Sequence, residues 1–321
     1  MMEGRACPLH YRYRPEDLAR SPEPCEADVL YVIGGLYGNP FALDEVERMA
    51  EREQARGQRV HLLFNGDFNW FNASDDLFQA INRRVLGHQA ITGNIEYELA
   101  QPGDGAGCGC AYPDFVDDAV VERSNRIMGR LQDIAVRYPD LQERLAGLAR
   151  YRCLIFGGLK VVVVHGDPES LAGWGLSHES LLAKGVGQLA TWFRQTGADV
   201  LVSTHTCLPA IRSLVVDGRP RIFLNNGSAG MGNLSGDTIG LLARIAPSAP
   251  SRGSFELSSP LPVTASLEPV RFPLASWMPV FDALWPENSD AALSYRHRML
   301  SGTSLTRQQL LAEAAASENV V

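Results

Sequence analysis

Five short segments of the sequence place residues that can bind metal or phosphate directly after an apolar run. They occupy residues 34–39, 66–69, 93–96, 165–168 and 204–209. The side chains in them that carry suitable nitrogen or oxygen lone pairs are Asp67, Asn94, His165 and His205. Imidazole nitrogens combined with carboxylate and amide oxygens suit Zn²⁺, Mn²⁺ or Fe²⁺. The pattern therefore indicates a transition-metal site.

Each of these residues also has an ordinary structural interpretation. A single histidine at a strand end is more often a hydrogen-bonded structural residue than a ligand. Asp67 could cap a turn or helix, and Asn94 could serve a left-handed backbone position. These interpretations do not explain why all four residues follow strands in one ordered series, so we favour the ligand interpretation.

The elements that position these side chains can be predicted from periodicity. Apolar runs at 29–33, 60–64, 90–92 and 159–164 read as buried strands, and helical spacing appears over 41–55, 77–85 and 116–137. Gly157-Gly158 and Asp217-Gly218 predict hairpins between 151–156 and 159–164 and between 210–216 and 219–224. Alternating strands and helices are typical of an α/β layered domain, in which strand C-termini converge on one ligand-binding rim.

The five segments together resemble the signature of the calcineurin-like metallophosphoesterases. That signature runs Gly-Asp-x-His-Gly, Gly-Asp, Gly-Asn-His-Asp/Glu, His-Gly and Gly-His-x-His. The likeness covers about residues 29–245 and is closest to the small bacterial phosphodiesterase branch; residues 225–228, Asn-Asn-Gly-Ser, resemble the Asn-Pro-Gly-Ser of that branch. It implies a four-layer α-β-β-α sandwich of two mixed sheets.

The resemblance divides the family's two metal sites unequally. It implies that Asp67, Asn94, His165 and His205 form the complete ligand set of one metal, and these residues would also be the catalytic ones. The ligands that bind only the other metal in the family correspond to Gly35, Tyr37 and Cys207 here, and at none of these positions does this chain have the residue that the family uses. Many family members carry a catalytic histidine where this chain has Ile95, but the small phosphodiesterase branch often lacks it.

Cys108 and Cys110 lie in a glycine-rich loop shortly after Asn94. They could be loop cysteines with no functional role. Alternatively, the loop could fold over the rim and join Cys207, with Tyr37 beside it, in a thiolate-containing replacement site, since sulfur selects zinc, copper(I) or iron–sulfur chemistry over Mg²⁺. A single residue between two cysteines is a weaker zinc signal than the usual gap.

Composition narrows the class of partner. The chain has 321 residues, is 45% hydrophobic and carries a net charge of −8, which argues against a broad surface for nucleic acid or anionic membranes. We expect a small phosphorylated molecule as its partner, and the oligomeric state, homo-oligomers included, stays open. No run reaches the length of a membrane helix, no secretory signal is visible, and six cysteines do not make a disulfide scaffold, so we expect the cytoplasm.

The expected organisation is an irregular N-terminal extension at 1–27, a metallophosphoesterase-like domain at 28–246, and a Ser/Pro-rich and helical extension at 247–321. Three functions remain open. The chain could hydrolyse phosphate mono- or diesters with mainly one Zn, Mn or Fe ion per chain. It could be an inactive binding or regulatory protein on the same fold. It could also perform altered chemistry with a cysteine-containing metal site.

Overall fold

A computed structural model describes residues 3–5, 7–103, 106–257 and 259–320. Its strands, numbered in chain order, are β1 (Glu23–Cys25), β2 (Val29–Ile33), β3 (Val60–Phe64), β4 (Gln89–Ala90), β5 (Tyr151–Phe156), β6 (Leu159–Val164), β7 (Val200–Ser203), β8 (Ala210–Val216), β9 (Arg219–Asn225), β10 (Gly240–Ala246), β11 (Phe255–Glu256), β12 (Thr264–Val270) and β13 (Ser317–Val320). They form two mixed sheets, ordered β1-β5-β6-β7-β9-β8-β13 and β11-β12-β10-β2-β3-β4.

The helices lie on the outer faces of the two sheets, apart from α10, which packs against β8 of one sheet and β11 of the other beside the core between them. They are α1 (Pro40–Gln54), α2 (Asp75–Val85), α3 (Asn94–Ala100), α4 (Asp118–Ala135), α5 (Pro139–Ala146), α6 (His178–Lys184), α7 (Gly187–Thr196), α8 (Leu274–Leu284), α9 (Asp290–Ser301) and α10 (Arg307–Ala315). None of the helices in the described part of the chain is both long and apolar enough to cross a bilayer.

The core between the two sheets follows from the period of two along each strand. Leu30 and Val32 of β2 pack in one cluster with Val161 and Val163 of β6, so the sheets bury one face of each against the other. The alternate residues face outward, where Val162 packs against α6 and α7 and Ile33 against α1, α2 and α4. The layers are helix, sheet, sheet and helix, which confirms the predicted four-layer sandwich.

The predicted local elements are confirmed with small shifts at their ends. Both hairpins form at the predicted turns, and β2 and β3 have the predicted bounds. Helix α1 begins where it does because the Asn39 side chain accepts hydrogen bonds from the backbone N–H groups of Phe41 and Ala42, both at 3.1 Å, with Pro40 at the first helical position.

The two terminal segments differ from the irregular and helical extensions that we expected. The N-terminal segment has two short 3₁₀ turns, at Leu9–Tyr11 and Pro15–Asp17, and strand β1, which pairs in parallel with β5. The C-terminal segment contributes β12 next to β10, and β13 next to β8. β1 and β13 are polar edge strands held by backbone hydrogen bonds, so no apolar alternation announces them in the sequence.

Candidate metal centre

The four predicted ligands meet where the two sheets come together. Asp67 follows β3 and Asn94 begins α3 just after β4, so these two come from one sheet. His165 follows β6 directly and His205 lies two residues after β7, so these two come from the other sheet. The predicted convergence of strand C-termini therefore occurs across the seam of the sandwich.

The ligand atoms lie around the ring of His165. Its Nε2 is 3.0 Å from Asn94 Oδ1, 3.1 Å from His205 Nδ1 and 3.3 Å from Asp67 Oδ1. One ligand atom each from Asp67, His165 and His205 lies within 4.8 Å of the others, a spacing that one ion could bridge. All four side chains are buried.

Backbone carbonyls fix which ring nitrogen of each histidine carries the proton. His165 Nδ1 is 2.8 Å from the Asn65 carbonyl oxygen, and His205 Nε2 is 3.1 Å from the Cys110 carbonyl oxygen. A carbonyl only accepts, so these nitrogens donate, and the other nitrogen of each neutral ring presents a lone pair to the centre. Burial lowers the pKa of His205 to about 4 and that of His165 well below its usual value, which keeps both rings neutral.

The two oxygen ligands are also left as acceptors. Asn94 Nδ2 donates to the Cys108 carbonyl oxygen at 2.9 Å, so its Oδ1 faces His165. Asp67 Oδ1 is buried and has no hydrogen-bond partner within the described residues. Burial, and then the charge of nearby Glu96, raise the pKa of Asp67. Two lone-pair nitrogens, an amide oxygen and a carboxylate oxygen without a hydrogen-bond partner face one another, and a cation bound between them would stabilise this arrangement, so these residues fit a divalent metal ion.

Glu96 holds the loops that carry the oxygen ligands, a role that we did not predict. Its buried carboxylate accepts hydrogen bonds from the backbone N–H groups of Asp67 at 2.7 Å and of Phe68, Asn69 and Gly93 at 3.1 Å. The sequence carries only half of a signal, because Glu96 at the third helical position accepts from the backbone N–H of the N-cap residue Gly93 as in a capping box, but glycine has no side chain to complete the box.

Glycines are required where these loops approach the ligands. A Cβ atom at Gly66, whose φ is +93°, would lie 2.6 Å from His165 Nδ1. A Cβ at Gly93 would lie 2.5 Å from Asp67 Oδ1. A side chain at either position would displace a ligand.

Two asparagines join the sheets beneath the centre. Asn226 Nδ2 lies 3.1 Å from the carbonyl oxygen of Val32 and 3.0 Å from Asn65 Oδ1, and Asn65 Nδ2 donates to the Val164 carbonyl oxygen at 3.3 Å. The Asn-Asn-Gly-Ser segment at 225–228 therefore contributes hydrogen bonds that connect the two sheets.

Tyr37 and Cys207, which correspond in the sequence resemblance to ligands of the other metal, contact each other as uncharged side chains. The Tyr37 hydroxyl contacts Cys207 Sγ, and the Tyr37 ring packs 5.8 Å from that of Phe71. Burial raises the pKa of the Cys207 thiol to about 12 and moves the pKa of Tyr37 further above its usual value, so both are protonated near neutral pH. Gly35 lies against this pair, because a Cβ there would be 3.0 Å from Tyr37 Cε2.

The cysteine-containing loop does reach the rim, as one of the two interpretations predicted. Its carbonyl oxygens accept hydrogen bonds, that of Cys108 from Asn94 and that of Cys110 from His205 and from Trp174 Nε1. Cys110 also lines the cavity at the site, and its Sγ lies 3.5 Å from Asn94 Nδ2. The close group of Asp67, His165 and His205 includes no cysteine. A thiolate replacement site stays a prediction.

A cavity of about 210 Å³ opens onto the ligands. Besides Asp67, Asn94 and His205 it is lined by Ile95, by the Tyr37–Cys207 pair and by aromatic side chains, which are Trp70, Tyr112, Trp174 and Tyr295. Helix α9 supplies Tyr295 and also Ser294 and Arg298. These α9 residues lie outside the segment that carries the family resemblance, and nothing in their local sequence marks them.

Comparison with known structures identifies the fold. No protein-family model and no curated protein matches the sequence. A metallophosphoesterase from Sphaerobacter thermophilus superposes with a TM-score of 0.52 at 16% identity, over 87% of this chain and 100% of that one. A hypothetical protein from Pyrococcus horikoshii superposes with a TM-score of 0.55 at 13% identity, over 86% and 99%. The chain therefore has the calcineurin-like metallophosphoesterase fold, as the sequence motifs predicted.

Proposed function

We propose that this protein is a phosphoric-ester hydrolase that works with one divalent transition-metal ion held by Asp67, Asn94, His165 and His205. The observation that supports it is the convergence of four buried nitrogen and oxygen atoms, each within 3.3 Å of His165 Nε2 or being that atom, one from each of the four residues. The set lies at the strand C-termini of a metallophosphoesterase fold.

The chain's own residues prepare this site before any ion binds. The carbonyls of Asn65 and Cys110 fix both histidine tautomers, and Glu96 orients the Asp67 loop. When bound, the ion would polarise a phosphoryl oxygen and lower the pKa of a coordinated water. With Ile95 next to Asn94, no imidazole follows the asparagine to protonate a leaving group, which favours substrates whose leaving group needs little acid assistance.

We propose a small phosphate mono- or diester as the substrate. The cavity of about 210 Å³ is smaller than the pockets of about 300–1,000 Å³ that enclose drug-sized ligands. It can hold a phosphoryl group with a compact substituent between the aromatic walls. The net charge of −8 is unsuited to a long nucleic-acid strand.

A binding or regulatory role without catalysis is the second candidate. It is favoured by the Tyr37–Cys207 contact, which occupies the positions from which the second metal would be held. Without that metal, the entering and leaving oxygens lose one of the two charges that a two-metal site places on them.

Metal counting separates these assignments. Protein purified without added metal should hold about one equivalent of transition metal by mass spectrometry, and His165→Ala and His205→Ala should lose it. His178→Ala is the matched control, because His178 is equally buried but lies beside Glu313, away from the site. Retention of metal by both site variants would disprove the ligand assignment. Wild-type protein with bound metal that does not hydrolyse bis-p-nitrophenyl phosphate would favour the binding role.

A further inference from the structure

Arg298 is a cation inside the cavity without a carboxylate partner among the described residues. It lines the cavity from helix α9 and is half-buried. Two other arginines that involve α9 are paired with carboxylates: Arg296 with Asp282 at 2.9 Å, and Arg126 with Asp290 at 2.7 Å. A partly desolvated charge without a counter-ion is costly, so its retention here points to a ligand of opposite charge.

The guanidinium is oriented by two backbone carbonyls. Its Nε donates to the Gly232 carbonyl oxygen at 2.9 Å, and its Nη2 donates to the Cys207 carbonyl oxygen at 2.5 Å. Of the five N–H bonds of a guanidinium, these use two, which leaves three for a ligand. Neither carbonyl neutralises the positive charge.

Helix α9 is itself held in place, so the position of Arg298 is fixed. Tyr295, one turn earlier on the same face, packs its ring 5.2 Å from that of Phe71 and 6.3 Å from that of Trp70. Arg123 of α4 donates to Ser294 Oγ at 2.8 Å. A preorganised arginine loses little freedom when it binds an oxyanion.

The location of Arg298 relates it to the lost metal. Its Nη2 contacts the backbone of Cys207, the residue at a position where the family has a ligand of the second ion. The same cavity is lined by Asp67, Asn94 and His205. The proposed metal ligands therefore line the same cavity as the guanidinium of Arg298, which lies next to Cys207.

We propose that Arg298 binds the non-bridging oxygens of the substrate's phosphoryl group and supplies the positive charge that the second metal ion would have provided. The proposal rests on the proposed function, because it assigns the anion that the site receives. A planar guanidinium stays protonated at neutral pH and presents paired N–H groups that match phosphate oxygens. The tetrahedral anion would then lie between the metal and the arginine.

The test measures binding of inorganic phosphate by calorimetry, with and without one equivalent of metal, in wild type, Arg298→Ala, Arg298→Lys and Arg296→Ala. We expect Arg298→Ala to keep its metal content and to weaken phosphate binding at least 10-fold. Arg298→Lys keeps the charge but not the paired geometry, so it should lie between. Arg296→Ala removes a paired arginine two residues away, outside the cavity lining, and should bind like wild type.

The outcomes separate this proposal from the proposed function. Phosphate affinity of Arg298→Ala and Arg298→Lys within twofold of wild type overturns it, as does wild-type protein that binds no phosphate at millimolar concentration. If Arg298→Ala does not fold, shown by its thermal melt, Arg298→Lys decides alone, with at least a threefold loss expected. Arginine-dependent phosphate binding in a protein without hydrolytic activity would support Arg298 and disprove the hydrolase.

Discussion

Replacing Glu96 with glutamine should destabilise the protein and weaken its metal binding together. In the native site one carboxylate oxygen accepts from the backbone N–H groups of Phe68 and Asn69 and from the Asn69 side-chain amide, all at 3.1 Å. The other accepts from the N–H groups of Asp67 and Gly93 at 2.7 and 3.1 Å. In Glu96→Gln the amide oxygen can serve the first set, but the NH₂ group then faces the other two donors.

The magnitude follows from those two donors. A buried donor without an acceptor costs about 1–3 kcal/mol, so the pair costs about 2–6 kcal/mol. That is a large share of the roughly 5–15 kcal/mol by which a folded domain is stable. The displaced loop carries Asp67, so metal affinity should fall by about 10- to 100-fold, as for other residues that orient ligands. Urea unfolding of the metal-free protein, followed by tryptophan fluorescence, and competition with a metal chelator measure the two effects.

Glu98→Gln is the matched control, since Glu98 is a fully buried carboxylate on the same helix. It accepts from the Tyr11 hydroxyl and, at 2.8 Å, from the backbone N–H of Gly103. A hydroxyl can also accept, so the glutamine NH₂ can donate to Tyr11 while its oxygen keeps Gly103, and the loss should stay below about 1.5 kcal/mol. Equal destabilisation by the two substitutions, or a Glu96→Gln loss under about 1 kcal/mol, would refute the assigned role of Glu96.

Three further predictions concern the proposed ligands and the residues Gly35, Tyr37 and Cys207. Because a Cβ atom at Gly35 would contact the Tyr37 ring, Gly35→Asp should be combined with Tyr37→His and Cys207→His. The triple variant should bind a second metal ion and hydrolyse bis-p-nitrophenyl phosphate faster than wild type. Two bound metal ions without a rate increase would argue against phosphoester hydrolysis. In the metal-free protein, burial lowers the pKa of His205 to about 4. The contribution of His205 to stability is therefore complete above about pH 6.5 and is lost as the pH falls toward 4, by about 3 kcal/mol in total at about 1.4 kcal/mol per pH unit. The urea midpoints of wild type and His205→Gln should converge over this pH range, and parallel profiles would contradict the prediction. Cys207→Ser should keep the wild-type metal content, like the control Cys25→Ser, because the Cys207 thiol contacts the Tyr37 hydroxyl and is not in the close group of Asp67, His165 and His205. Selective loss of metal from Cys207→Ser would instead establish a thiolate site.

The sequence predicted an α/β layered domain from its pattern of elements and, through the family resemblance, the four-layer fold and the four ligands. Short apolar runs mark β2, β3 and β6 as strands, and the C-termini of parallel strands lie on one edge of a sheet. A residue such as His165 that directly follows a strand is therefore placed by local pattern alone. Glu96 has only a partial local signal, its position in the first turn of a helix, because its N-cap residue Gly93 has no capping side chain.

The orientation of the ligands and the identity of the residues around them follow from tertiary packing. The carbonyls of Asn65 and Cys110 fix the histidine tautomers, and a backbone atom offers no residue-type signal in a sequence. The sequence left open whether Tyr37 is a metal ligand, whereas in the structure its hydroxyl contacts the Cys207 thiol. Arg298 enters the cavity because Tyr295 packs on Trp70 and Phe71, more than 200 residues earlier in the chain. Such contacts depend on how whole elements pack, and local periodicity does not encode that.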